Sequence, residues 1–196
     1  MSNKFFGLKN YDKSGNRVNW FFEDAEVSLK KMTEPDTNGK EEEKKKYENR
    51  IGFYDLIFNE VNEITLKEDT VPPKQLFSKE FLKHVKTLLK PSGIYAVNVM
   101  GKNYKAIYNN YLELENNFPS IYTIPSDSGL SYIFICFKEE CNKDKYEKIF
   151  QSNRTIIDKG DAIDYSVIQL ISNEVISRIV DMKDEKKKLE ENSKMI

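Results

Sequence analysis

The stretch Tyr54 to Met100, YDLIFNEVNEITLKEDTVPPKQLFSKEFLKHVKTLLKPSGIYAVNVM, decides the fold. A short apolar run, Phe53 to Phe58, has the length of a strand and ends abruptly in polar residues. A polar loop closes on Pro72-Pro73, and a helix is predicted after it. Ser78 suits its N-cap, Glu80 its first turn, and Lys86 and Lys90 its end, as the helix dipole favours. Phe81, Leu82, Val85, Leu88 and Leu89 fall on one face. Pro91-Ser92-Gly93 reads as the stop, and Ile94 to Met100 as a second buried strand. Strand, helix, strand is a βαβ unit, with parallel strands and a right-handed crossover. Ligands of such sheets sit at the carboxyl ends of the strands. That places Asn59, Glu60, Val61 and Asn62 where chemistry is expected.

Length and charge bound the rest. The chain has 196 residues and a formal net charge of −1, which suits one domain with an extension and gives no general pull toward nucleic acid or anionic membrane. No apolar run reaches spanning length, so no membrane partner is expected. Two cysteines, Cys136 and Cys141, are too few for a disulfide framework and point to a reducing, cytoplasmic setting. With a single distant histidine, His84, they do not complete a metal site, and no metal is expected.

Taken in order, Arg17 to Phe22 reads as a strand, followed by a short helix from Ala25 to Met32 with Asp24 as its N-cap. Residues 33–50 carry the run GKEEEKKKYENR and read as a charged surface insertion. Tyr104 to Phe118 has helical spacing and ends at Pro119. Ser120 to Ile124 and Ser131 to Lys138 are short strands around a hairpin-type loop, so the sheet is expected to end in an antiparallel pair. Residues 143–153 read as a short helix and Asp164 to Asp181 as a longer one, with an apolar stripe through Val167, Ile171, Val175 and Ile179. The charged tail, Lys183 to Lys194, extends that helix into solvent or frays. The expected organisation is an α/β domain over 1–140 and a helical extension over 141–196.

Several pieces occur in a telling order: Phe5-Phe6-Gly7, Asn16-Arg17-Val18, Glu23-Asp24-Ala25, Tyr54-Asp55-Leu56-Ile57, Pro72-Pro73, Phe81 to Lys86, Pro91-Ser92-Gly93, Asn98 and Phe118-Pro119. Together they resemble the second half of a class I S-adenosylmethionine-dependent methyltransferase of the spermidine synthase-like group. The nearest likeness is to the carboxyl-terminal domain of the enzymes that methylate a lysine and the N-terminus of elongation factor 1A. The resemblance implies a Rossmann-like methyltransferase fold with S-adenosylmethionine as cofactor. Asp24, Ala25 and Asn59 fall on the cofactor side, with Asp24 at the adenine-contacting acid, and Glu60 and Asn62 fall in the loop that faces the reacting amine. A carboxylate there can orient the amine and accept its proton, while the amide carbonyl orients it.

The family usually has aspartates where this chain has Glu60 and Asn62, and Gly7, Gly15 and Gly39 do not form a G-x-G-x-x-G after a strand. The fold expected from the resemblance is therefore partial, strands 1 and 2 missing, as in an N-terminally truncated chain that is inactive alone. The family's strand order is 3-2-1-4-5-7-6, so the missing strands would lie between 17–22 and 53–59. Either 17–22 pairs beside 53–59, or it leaves the sheet, or a second chain covers the edge. Plainer roles stand beside the functional ones: Asp24 as a cap, Glu60 as a solvated strand end, Asn62 as a turn former. Three functions compete. The first is methyl transfer to an amine, with a protein as acceptor. The second is aminopropyl transfer, for which Glu60 and Glu63 would hold a diamine. The third is a non-catalytic module for dimerisation or partner binding, using the 164–181 stripe.

Overall fold

The computed structural model describes residues 24–34, 50–60, 69–127, 129–142 and 178–194. The chain enters through α1, Ala25–Thr33, capped as expected by Asp24. It then passes through β1, Tyr54–Asn59, and a two-residue strand β2, Thr70–Val71. A 3-10 turn, Lys74–Phe77, leads into α2, Lys79–Leu88. The Ser78 hydroxyl accepts from the Phe81 amide at 3.2 Å and starts α2 where the sequence predicts. Phe81, Leu82, Val85 and Leu88 form its buried face.

The end of α2 differs from expectation. Pro91-Ser92-Gly93 does not stop it: the helix ends at Leu88 and runs straight into β3, Leu89–Gly101. The turn before β1 takes the last helical carbonyls instead, with Gly52 N–H donating to Thr87 O and Phe53 N–H to Leu88 O, both at 2.9 Å. The parallel β1–β3 ladder aligns Tyr54 with Leu89 and Leu56 with Ile94, so Lys90 to Gly93 bulge out opposite Asp55 alone. A bulge tolerates Pro91, which has no amide to donate. Lys90 closes the bulge with bonds of 2.7 and 2.8 Å to the Asp55 carboxylate. A Cβ on Gly93 would lie 2.9 Å from Lys90 O, so the bulge is built around a missing side chain.

From β3 the chain passes through α3, Tyr104–Glu115, into β4, Ser120–Pro125, and turns back as β5, Ser131–Phe137. The sheet order is β1-β3-β5-β4, continued by β6, Val180–Asp181, while β2 pairs with the far end of β3. β1, β3 and β4 point one way and β5 runs against them, so β4 and β5 form the antiparallel pair the sequence announces, with β6 added beyond it. Tyr95, Val97, Val99, Phe134 and Cys136 lie on one face and form the main core with residues of α2 and α3. A smaller cluster, with Tyr122, Ile135 and Phe137, occupies the other face.

Two expectations about the C-terminal region are corrected. The last two residues of the expected 164–181 helix form β6 against β4, aligning Thr123 with Val180. The charged tail does not fray, and only one of its faces stays in solvent. It is α4, Met182–Ser193, with Met182, Glu185 and Leu189 buried, and it packs along α3. Lys186 Nζ sits 2.7 and 2.8 Å from the Glu115 carboxylate, which also accepts from Tyr111 OH at 2.5 Å. Burial alone would raise the Glu115 carboxyl, but the bonds from Lys186 and Tyr111 hold it below the ordinary value. Its contribution to stability is therefore present above the unfolded value and fades as pH falls through the folded one. The expected strand at 17–22, most of the 33–50 insertion, the 143–153 helix and residues 164–177 lie outside the described residues.

Two substitutions test the buried stripe of α4. Leu189→Ala should cost about 2–5 kcal/mol in urea unfolding, as for a core leucine. Lys187→Ala on the exposed face should stay within about 0.5 kcal/mol. Equal, small effects would show that the tail is not part of the core.

Candidate functional site

β1, β3 and β4 end at one rim of the sheet, and Asn59 is the last residue of β1. It aligns with Val97, and so shares a face with Tyr95, which aligns with Ile57. The Asn59 amide donates from Nδ2 to Tyr95 OH at 2.9 Å. The Tyr95 ring is fully buried and stacked on Phe118 with centroids 5.8 Å apart. Burial pushes the phenol far above its usual pKa, outweighing the opposite pull of the Asn59 bond, so the hydroxyl stays protonated. This fixes one end of the Asn59 amide. The other end, Oδ1, is buried and has no hydrogen-bond partner among the described residues. An unpaired buried acceptor costs roughly 1–3 kcal/mol, and sites that break a packing rule in this way are where function is sought.

The other sequence-derived candidates are placed less closely. Glu60 follows directly and is exposed at the rim. Asn62 lies outside the described residues. Asp24 is exposed, and its Oδ1 accepts from Glu26 N–H at 2.8 Å and Val27 N–H at 3.3 Å, so one carboxylate oxygen serves α1. Ala25 beside it is exposed. The far end of α1 is anchored by Thr33 Oγ1, 2.6 Å from His84 Nδ1, and by Met32 Sδ, which accepts from Tyr54 OH at 3.9 Å. The rise of the helix sets Asp24 about 13 Å from that anchor. His84 itself is buried: Nδ1 is paired with Thr33, and Nε2 has no hydrogen bond among the described residues, with the Glu80 carboxylate 3.9 Å away.

Clefts open elsewhere on the described surface. One of about 400 Å³ lies at the carboxyl end of β4, between Tyr104, Asp127, Tyr132, Arg178, Lys188 and Asn192. Another, of about 460 Å³, lies between Asp69, Lys74, Asn110 and Glu113. Neither is lined by Asp24, Ala25, Asn59 or Glu60. Among the described residues no cluster of His, Cys, Asp and Glu could hold a metal ion, and no helix is long and apolar enough to cross a membrane. Both cysteines are buried thiols outside any disulfide, and burial raises the Cys136 thiol well above its ordinary value. Tyr95 is the residue that sequence reasoning missed: in the run Ile94 to Met100 it reads as core bulk. Its one signal is a hydroxyl in an otherwise apolar strand, because a buried tyrosine needs a polar neighbour.

The sequence matches no protein-family model, and no curated protein matches it. Solved structures do resemble it. Human Methyltransferase-like protein 13 in complex with SAH superposes with a TM-score of 0.57 at 15% identity, over 81% of this chain and 70% of that one. A probable spermidine synthase from Corynebacterium glutamicum ATCC 13032 gives a TM-score of 0.46 at 14% identity. That match covers 86% of this chain, which spans 58% of that protein. The likeness at the higher score concerns the fold, a Rossmann-like methyltransferase fold; the order β1-β3-β5-β4 is the one the resemblance in sequence implies for strands 4-5-7-6.

Tyr95→Phe removes the acceptor of Asn59 Nδ2 and leaves both ends of the amide unpaired. The expected loss is about 1–3 kcal/mol in urea unfolding. An unchanged midpoint would show that the pair does not hold the strand end.

Proposed function

We propose that the chain is a module of an S-adenosylmethionine-dependent methyltransferase acting on an amine, with a protein as the acceptor. The observation that carries the reading is the strand order β1-β3-β5-β4 with β5 reversed. It is supported by the likeness to a methyltransferase-like protein crystallised with SAH. Bound S-adenosylmethionine would supply the electrophilic methyl group. The chain's own residues have the positioning work. Asp24 and Ala25 stand on the adenine side, with the second carboxylate oxygen of Asp24 in reserve beyond its cap. Asn59 offers Oδ1, a buried acceptor already oriented by Tyr95, to an N–H of the nucleoside. Glu60, exposed at the rim, orients the incoming amine and takes its proton, and Asn62, two residues on in the sequence, assists.

A specific observation keeps a non-catalytic reading beside this one: β1 presents an exposed apolar edge suited to a partner. The aminopropyl alternative asks for two acids after β1; Glu60 is exposed there and Glu63 lies outside the described residues.

Titration of the whole chain with SAH, followed by ligand-observed NMR, tests the cofactor side. Saturation transfer to the adenine protons is expected at millimolar ligand, and Asn59→Ala and Asp24→Ala should each weaken it by roughly fivefold or more. Absence of transfer to the adenine, or transfer indifferent to both substitutions, would contradict the assignment.

A further inference from the structure

β1 ends the sheet among the described residues: it pairs with β3 on one side and carries no described strand on the other. Natural edge strands are blunted by prolines, lysines or bulges. β1 has none of these from Leu56 to Asn59, and its one charge, Asp55, is bound by Lys90. Exposed apolar bulk gathers at the same place: Ile51 is 56% exposed, Phe53 59%, Leu56 56% and Phe58 53%. Leu56 and Phe58 share the face opposite the main core, because they align with Ile94 and Ala96.

We propose that β1 is the interface between two copies of this chain, paired β1 to β1, antiparallel, about a two-fold axis through Ile57. The sequence YDLIFNE is complementary to itself in that register. Leu56 meets the partner's Phe58 and Phe58 meets the partner's Leu56, two aliphatic–aromatic cross-strand pairs on one face. Asp55 meets the partner's Asn59 and Tyr54 meets the partner's Glu60, so no like charges oppose. Moving the axis to Leu56 sets that residue against itself and Phe58 against the partner's Tyr54, and the paired aliphatic–aromatic match is lost. Two-fold strand addition is isologous and closed, so it ends at the dimer. Four large side chains, each roughly half exposed, offer about 400 Å² per copy, short of the about 800 Å² per partner of a standard stable interface. The dimer is therefore reversible and concentration-dependent. It does not rest on the methyl-transfer reading: nucleoside binding without dimerisation, or the converse, separates the two.

Sedimentation velocity of the whole chain over a wide concentration range tests this. The wild type should pass from monomer to dimer and no further. Phe58→Lys, with its far-ultraviolet circular dichroism unchanged, should remain monomeric throughout. The register has its own test in single-cysteine exchanges. Under oxidation, a mixture of Leu56→Cys and Phe58→Cys should form disulfide-linked dimers faster than either variant alone. A wild type that stays monomeric, a dimer that survives Phe58→Lys, or cross-linking indifferent to the mixture would overturn the proposal.

Discussion

The described sheet hangs on one strand. β3 pairs with β1 in parallel along one side, with β5 in antiparallel along the other, and with β2 at its end. Its inward residues Tyr95, Val97 and Val99 are wholly buried, and α2 and α3 adjoin it at its two ends. Alternation with period two makes this possible, because each inward residue is followed by one serving the other face. A one-residue slip of β3 would turn Tyr95 away from Asn59 and Phe118 and undo the core and the candidate site together.

That dependence reaches the candidate site. Asn59 stands at the rim only because β1 runs parallel to β3 and ends there. Its amide is oriented only because Tyr95 stands on the same face. The bulge at Lys90 to Gly93 serves the same end: it absorbs the surplus residues after α2 before the ladder resumes at Leu56 and Ile94. Farther along the rim, the β4–β5 turn is closed by Ser126 N–H donating to Ser131 O at 2.8 Å, with Gly129 at a φ of 70°. A side chain at Gly129 would collide with the Tyr104 hydroxyl, so the turn and the start of α3 are fitted to each other.

Much of this was legible in the sequence where local chemistry decides. Ser78 and Asp24 announce their helices because a side-chain oxygen satisfies the first amides whatever the tertiary setting. The βαβ unit and the antiparallel end follow from periodicity and turn residues. What was not legible depends on distant partners. β6 exists because Asp181 pairs with Tyr122, far away in sequence, while its own residues continue a helical stripe. α4 reads as solvent because only Met182 and Leu189 are apolar at buried positions, and Glu185 is buried among charges with Lys188 Nζ at 3.0 Å. Pro91 and Gly93 read as a stop because nothing local reveals a bulge. For the site, the position of Asn59 follows from the strand end, but its bond to Tyr95 needs the register, which the sequence does not state.

The central claim is that β3 lies between a parallel β1 and an antiparallel β5, with β4 beyond. Interstrand backbone proton contacts measured by NMR on the whole chain test it most directly. The account predicts contacts from Ala96 to Phe58 on one side and to Ile135 on the other, and from Tyr122 to Ile135. Contacts joining Ile94 to Met100 directly with Ser120 to Pro125, or an antiparallel pattern between Leu56 to Asn59 and β3, would contradict it.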